Sequence, residues 1–218
     1  MKNIPFRLTA ILALWLILGG TALATTAPTQ APADPAPAPE FMEGDLLFQG
    51  TISPQSAAIK LATGSRYTHC AIVLEKDGQL QVFEAISKIG WTTIEQWTRR
   101  GVDGHYVLMR LKDASVLTPQ ALAAMRRDTA NYYNKDYDLL FQWSDDKQYC
   151  SELVWKIYQR NAGLELGKLK GFADYRLDSE EVRRIIRQRY GTDLPTGEKV
   201  IAPSDLMASD LLEVVYQN

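Results

Sequence analysis

The chain has 218 residues, 46% of them hydrophobic, and its 24 Lys and Arg against 26 Asp and Glu leave a formal net charge of −2. That is enough apolar material for one core of ordinary density. The near-balance of charge excludes a global field of the kind that draws a protein to nucleic acid or anionic lipid, so no nucleic-acid partner is expected.

The first 24 residues read as an export signal. Lys2 and Arg7 supply a positive start, "LTAILALWLIL" at 8–18 is apolar but short for a bilayer span, and "ALA" at 22–24 places small residues where a signal peptidase reads. No cysteine follows the apolar run, which argues against a lipoprotein anchor. Retention of the segment as an uncleaved anchor is the competing reading. Residues 25–40, "TTAPTQAPADPAPAPE", lack apolar periodicity and predict an extended, disordered linker. One globular domain is expected over 41–218, exported and either periplasmic or secreted once the signal is removed.

Within the domain, "GDLLFQG" at 44–50 predicts a short buried strand between glycines. "SPQSAAIKLATG" at 53–64 predicts a helix capped by Ser53, with Pro54 in its first turn and Gly64 at its end. "THCAIVLEKDGQLQVFEAI" at 68–86 reads as a β-hairpin turning at Asp77-Gly78. "HYVLMRL" at 105–111 is a further strand. "TPQALAAMRRDTANYYN" at 118–134 opens as a helix with Thr-Pro. "SELVWKIYQRNAG" is a helix ending at Gly163. "EEVRRIIRQRY" at 180–190 carries four arginines, and Val182, Ile185 and Ile186 recur at helical spacing; it reads as a surface helix with a solvated basic face. A short turn of helix is expected in "APSDLMASD". Early strands followed by helices predict an α+β fold, an antiparallel sheet covered by helices.

The chemistry centres on Cys150, one of two cysteines. It follows the polar "SDDKQY" and precedes Leu153, Val154, Ile157 and Tyr158, one face of a helix. Its thiol therefore falls at a helix N-terminus, where unpaired backbone N–H groups favour thiolate. The backbone amides of Cys150 and Ser151 are candidates to hold a developing oxyanion. A nucleophilic thiol needs a base, and the chain has two histidines, His69 and His105. With Asp77-Gly78 at the turn, paired residue numbers sum to 155. His69 then faces Ile86, Ala71 faces Glu84, and His69, Ala71, Val82, Glu84 and Ile86 share one side of the sheet. His69 and Glu84 become diagonal neighbours about 7–8 Å apart at the backbone, within reach of their side chains. Glu84 is thus placed to fix the imidazole tautomer and stabilise the imidazolium. The same register turns Cys70 to the opposite face. His105, just after Gly104, reads as structural. Two histidines and two cysteines without metal-ligand spacing predict no metal and no other cofactor.

"GDLLFQG", "ATGSRYTHCAIVLE", "VFEAI" and "YDLLFQWSDDKQYCSELVWKIYQ" together resemble the YiiX/YebB-like branch of the permuted NlpC-type, papain-like cysteine hydrolases. The resemblance runs from about Gly44 to "VIAPSDL" near 205. It implies a papain-like α+β core in which the histidine strand precedes the cysteine helix. It also implies Cys150 as nucleophile, His69 as general base and acid, and Glu84 as the orienting residue. Tyr67 and Tyr149 flank the matched motifs and are expected to line the cleft and touch substrate. Relatives of the wider superfamily act on amide bonds of cell-wall peptides, and other permuted relatives handle lipid acyl groups.

Three readings follow. The leading one is a thiol hydrolase cleaving amide bonds in peptidoglycan or similar peptides, associated with the cell envelope. The second is a lipid-directed thiol acyltransferase or esterase of the same fold, which predicts an apolar groove at Cys150. The third is a non-enzymatic domain in which Cys70 and Cys150 form a disulfide.

Overall fold

The computed structural model describes residues 39–191 and 194–218. The expected signal at 1–24, and all but the last two residues of the expected linker, lie outside the described residues. Among those described, no helix is long and apolar enough to cross a membrane.

In chain order the elements are β1 (Leu46–Gln49), α1 (Pro54–Thr63), β2 (His69–Lys76), β3 (Gln79–Ala85), β4 (Ile89–Thr92) and α2 (Ile94–Arg99). They continue with β5 (Val107–Leu111), α3 (Pro119–Tyr132), α4 (Cys150–Ala162), β6 (Lys170–Gly171) and α5 (Glu180–Tyr190), and end with β7 (Lys199–Val200), α6 (Pro203–Met207) and β8 (Leu212–Gln217). The local signals act as their chemistry requires. Ser53 Oγ accepts the Ser56 N–H at the start of α1, and Gly64 takes the left-handed conformation at its end, φ 71°. Asp77 and Gly78 both have positive φ, as a two-residue hairpin turn with the strands' own twist demands.

One antiparallel sheet, ordered β4-β3-β2-β1-β5-β8, organises the domain. Its two faces are covered differently. Leu46, Phe48, Cys70, Ile72, Leu74, Phe83 and Ala85 point to one face, where they pack with Cys150, Leu153, Val154, Ile157 and Tyr158 of α4 and Met125 and Tyr132 of α3. Leu47, Ala71, Val73, Val82 and Leu108 point to the other, under Trp97 of α2. Each such fully buried Leu, Ile, Val or Phe contributes about 1.5–3 kcal/mol of apolar burial, so alternation along β1, β2 and β3 fixes the register firmly. α5 lies apart from both, seated on α1 through Ala58, Val182 and Ile185.

The hairpin register follows the predicted sum from Lys76–Gln79 to Ile72–Phe83. The β2–β3 ladder ends there, short of the expected Ala71–Glu84 and His69–Ile86 pairs, while the outer edges of the two strands pair onward. His69 pairs with Gln49 of β1, Glu84 pairs with Gly90 of β4, and Ile86 lies outside the strand, 44% exposed. β4 and α2 follow directly, and neither was apparent from sequence periodicity.

The turn after α2 is tight. A Cβ built on Gly101 would stand 2.3 Å from the His105 carbonyl oxygen and 3.0 Å from Gln49 Oε1. Gly101→Ala is expected to destabilise the domain by about 1–3 kcal/mol through overpacking against backbone. Urea unfolding followed by circular dichroism checks this, and an unchanged midpoint would contradict it.

Candidate active site

Cys150 is the first residue of α4 and is 3% exposed. Tyr149 caps the helix in extended conformation, and its own N–H is taken by the Glu152 carboxylate at 3.3 Å. The next amides, those of Cys150 and Ser151, belong to the helix's first turn and have no acceptor within the helix. They are free to face an anion beside the thiol. Ser151 is fixed from its other side, its hydroxyl donating to the Ile201 carbonyl at 2.7 Å.

His69 opens β2 on the sheet face opposite α4, stacked on Trp97 with ring centroids 5.9 Å apart. Its Nε2 meets Glu84 Oε2 at 2.7 Å, with both side chains buried. Nδ1 is thereby left for Cys150. Glu84 is held in turn from two further sides. Thr92 Oγ1 donates to Oε1 at 2.5 Å, and the Arg100 guanidinium binds the same oxygen. Both come from the β4–α2 segment. A buried carboxylate must find such donors, because desolvation otherwise favours its protonated form.

The charges follow from these contacts. Burial works against a charged His69 ring, but Cys150 and Glu84 outweigh it and raise its pKa from 6.5 to about 9. Burial likewise opposes a charged Glu84, and His69, Thr92 and Arg100 together hold its carboxyl below the usual range. The Cys150 thiol is held well below the ordinary thiol value, first by Cys70 and then, against the cost of burial, by His69. These directions favour a thiolate–imidazolium pair, with the carboxylate orienting the ring. Cys150 and His69 lie within hydrogen-bonding reach of each other, across the edge of the sheet.

Cys70 is the neighbour that sequence reasoning did not place. Its face of β2 was legible, but the side on which α4 docks was not. Both cysteines are free thiols. Burial and the adjacent Cys150 push the Cys70 thiol well up, so it stays protonated beside the thiolate. The disulfide of the third reading is therefore not the state of this structure.

Two cavities meet at these residues. The smaller, about 120 Å³, is walled by Ile59, Phe141, Phe172, Val182 and Ile186 and has Cys150 and Ser151 in its lining. The larger, about 1410 Å³, has a mixed lining in which His69, Thr51, Arg100 and Lys147 supply polar groups. Tyr149 lines the apolar cavity, as expected, although its hydroxyl accepts the Ile201 N–H at 3.1 Å. Tyr67 is not among the residues lining either of these cavities, and its hydroxyl lies 3.3 Å from His105 Nε2. His105 is tied through Nδ1 to the Asn218 carbonyl and is structural. Tyr137, which sequence reasoning passed over, lines both cavities. The arginine helix α5 is not merely a solvated surface helix, since Arg184, Gln188 and Arg189 line the larger cavity and its apolar residues wall the smaller cavity.

Residues 40–216 match the family of permuted papain-like amidase enzymes of YaeF and YiiX, peptidase family C92. The chain belongs to this family. An amidase of this family is a papain-like hydrolase with rearranged chain order, and here the histidine strand does precede the cysteine helix. The chain is 37% identical over 182 residues to the uncharacterized protein YiiX of Escherichia coli K12, spanning 83% of this chain and 89% of that protein. A crystal structure of YiiX from Escherichia coli O157:H7, described as a metalloprotein, superposes with a TM-score of 0.76 at 34% identity, covering 81% of this chain and 97% of that one. Among the described residues, no three His, Cys, Asp or Glu side chains converge to hold a metal ion.

The charge pattern sets the pH response. His69 keeps its proton below about 9 and loses it above, while Cys150 has lost its proton well below the ordinary thiol range. Iodoacetamide is expected to modify Cys150 in preference to Cys70, at a rate that persists at pH 6, below the ~8.5 of a free thiol. Glu84→Gln should slow that labelling at pH 6 by about tenfold, because the imidazolium loses its counter-charge. Mass mapping across pH 5 to 9 checks both; labelling that appears only above pH 8 in the wild type would contradict the ion pair.

Proposed function

We propose that this protein is an exported cysteine amidase that cleaves peptide amide bonds, with cell-wall peptides as the first substrate class to test. The observation that carries the reading is the Cys150–His69–Glu84 arrangement set between an apolar cavity and a broad cleft. The Cys150 thiolate adds to the carbonyl carbon, and the electron pair of the C=O bond moves to oxygen, facing the amides of Cys150 and Ser151. His69 gives its Nδ1 proton to the leaving nitrogen, and the C–N bond breaks to leave a thioester. His69, now neutral, takes a proton from water as it attacks the thioester and keeps it, so that expulsion of the Cys150 thiolate restores the starting pair and the acid leaves, giving its own proton to the medium. Glu84, pinned by Thr92 and Arg100, keeps the ring in the working tautomer throughout.

The cavity dimensions shape the substrate. The apolar cavity beside Cys150, about 120 Å³, is much the smaller of the two. That suits one small or medium apolar side chain on the residue whose carbonyl is attacked. The broad cleft takes the larger remainder. A lipid-directed activity is the second reading, and the apolar lining beside Cys150 is the observation in its favour.

Paired substrates separate the two: a cell-wall-type peptide with Ala or Leu donating the scissile carbonyl, and a long-chain N-acyl amide of the same leaving group. Turnover of the peptide with a kcat/KM at least about tenfold higher is expected, as one well-filled pocket commonly discriminates by 1–3 kcal/mol. Preference for the acyl chain would establish the lipid reading instead. Cys150→Ala should abolish either activity with the thermal midpoint retained; residual activity at wild-type level would refute the nucleophile.

A further inference from the structure

The chain has two thiols, and the fold brings them together although amide cleavage needs only one. Cys70 lies in β2, beside Phe48 of β1, with its side chain on the sheet face that α4 covers. Cys150 opens α4. Both belong to one packed cluster with Ile72, Leu153 and Val154, and each thiol lies within hydrogen-bonding reach of the other. A small apolar side chain at 70 would serve the packing. What a thiol adds there is a partner for a second sulfur.

The two thiols are not equivalent. Cys150 is in the lining of the apolar cavity, whereas Cys70 is 1% exposed and is not among the residues lining either cavity. A small reagent in the cavity therefore meets Cys150 first. Charge sets the same order, because sulfur attacks as thiolate. Cys150 is the thiol held low, first by Cys70 and then, against the cost of burial, by His69. Burial keeps Cys70 protonated, and the contact with Cys150 and its charge add to this. Conversion of Cys150 to a neutral group removes that added charge. Cys70 thus becomes easier to ionise once Cys150 has reacted, and not before.

We propose that Cys150 and Cys70 form a reversible oxidation site for hydroperoxides, in which Cys150 is oxidised first and Cys70 then closes on it as a disulfide. With hydrogen peroxide, the Cys150 sulfur attacks one peroxide oxygen. The S–O bond forms, the O–O bond breaks, and the leaving oxygen takes the His69 proton, giving a sulfenic acid and water. The Cys70 sulfur then attacks the Cys150 sulfur. The S–S bond forms, the S–O bond breaks, and the departing hydroxide leaves as water with the Cys70 proton. The two sulfurs together lose two electrons to one peroxide. A dithiol reductant reverses the closure by attack on the disulfide. Without Cys70 the sulfenic acid stays open to a second peroxide and passes to sulfinic acid, which dithiols do not restore. The disulfide stands on the contact between the two thiols; that its closure switches off amide cleavage rests on the cysteine-hydrolase reading above.

The experiment treats the reduced protein with hydrogen peroxide, blocks the remaining thiols with N-ethylmaleimide after denaturation, and maps the products by mass. Wild type is expected to lose two hydrogens, take up no maleimide and yield a cross-linked peptide pair joining Cys70 to Cys150. Dithiothreitol should then return about nine-tenths or more of the Cys150 that reacts with iodoacetamide. Cys70→Ser should instead accumulate Cys150 carrying two added oxygens, of which dithiothreitol returns about a tenth or less. Cys150→Ser should keep a Cys70 thiol that takes up maleimide at the same peroxide dose, because Cys70 is not the point of first attack. Two maleimides on treated wild type, Cys150 over-oxidised as fully with Cys70 as without it, or a cross-link between two molecules would overturn the proposal. The first and last of these are read on wild type alone and do not depend on a variant folding. Amide cleavage that falls as the disulfide closes and returns on reduction would tie the site to the enzyme. A disulfide that closes in a protein whose reduced form turns over no amide would support the oxidation site and overturn the hydrolase reading.

Discussion

The short contact between His69 Nε2 and Glu84 Oε2 is the constraint around which the rest of the domain is arranged. Glu84 is 3% exposed, and an isolated carboxylate moved to such a place loses several kcal/mol of hydration. Three partners compensate it: the imidazolium of His69, the Thr92 hydroxyl and the Arg100 guanidinium. They come from three successive parts of the chain, β2, β4 and the end of α2. Removing any one leaves a buried charge short of a partner, so the site is rigid because it is expensive to leave half-made. The same carboxylate occupies Nε2 and so leaves Nδ1 for sulfur.

The sheet divides the work between its faces. β2 places His69 on the face under α2 and Cys70 on the face under α4, one residue apart. The cysteine helix packs on the Cys70 face and the carboxylate stands on the His69 face. Groups from both faces meet because His69 is the first residue of its strand. The apolar side of α4 that buries Leu153, Val154 and Ile157 also fixes the depth of Cys150, so core packing and thiol position are one problem. Loosening that packing would move the thiol before it unfolded the domain.

Much of this was legible in the residues. The Asp77-Gly78 turn fixed the hairpin sum, and the sum alone brought Glu84 to His69. The polar-to-apolar change at Cys150 marked a helix start. What stayed hidden depends on docking between elements that share no local pattern. Thr92 and Arg100 lie in "GWTTIEQWTRRG", too short and irregular to announce a strand and a helix. Cys70 beside Cys150 required knowing which sheet face α4 covers. Tyr67 was expected in the cleft from its nearness in sequence to His69, and nothing in the sequence pointed to the contact its hydroxyl makes with His105. Tyr137 lies 13 positions before the nucleophile, and only the backbone bridge to Gln148 brings it back. The four arginines of α5 looked like a solvated stripe because amphipathic spacing states that one face is buried and not what the other face borders.

With two histidines in the chain, one of them held by the C-terminal residue, the imidazole charge state can be read directly. The decisive measurement is a nitrogen NMR titration of the His69 ring in the wild type and in Cys150→Ser. The ion pair predicts a His69 midpoint near 9 in the wild type, with Nε2–H retained in its bond to Glu84, and a fall in that midpoint when the thiolate is removed. A wild-type midpoint near the ordinary 6.5, unmoved by Cys150→Ser, would contradict a thiolate–imidazolium pair at rest.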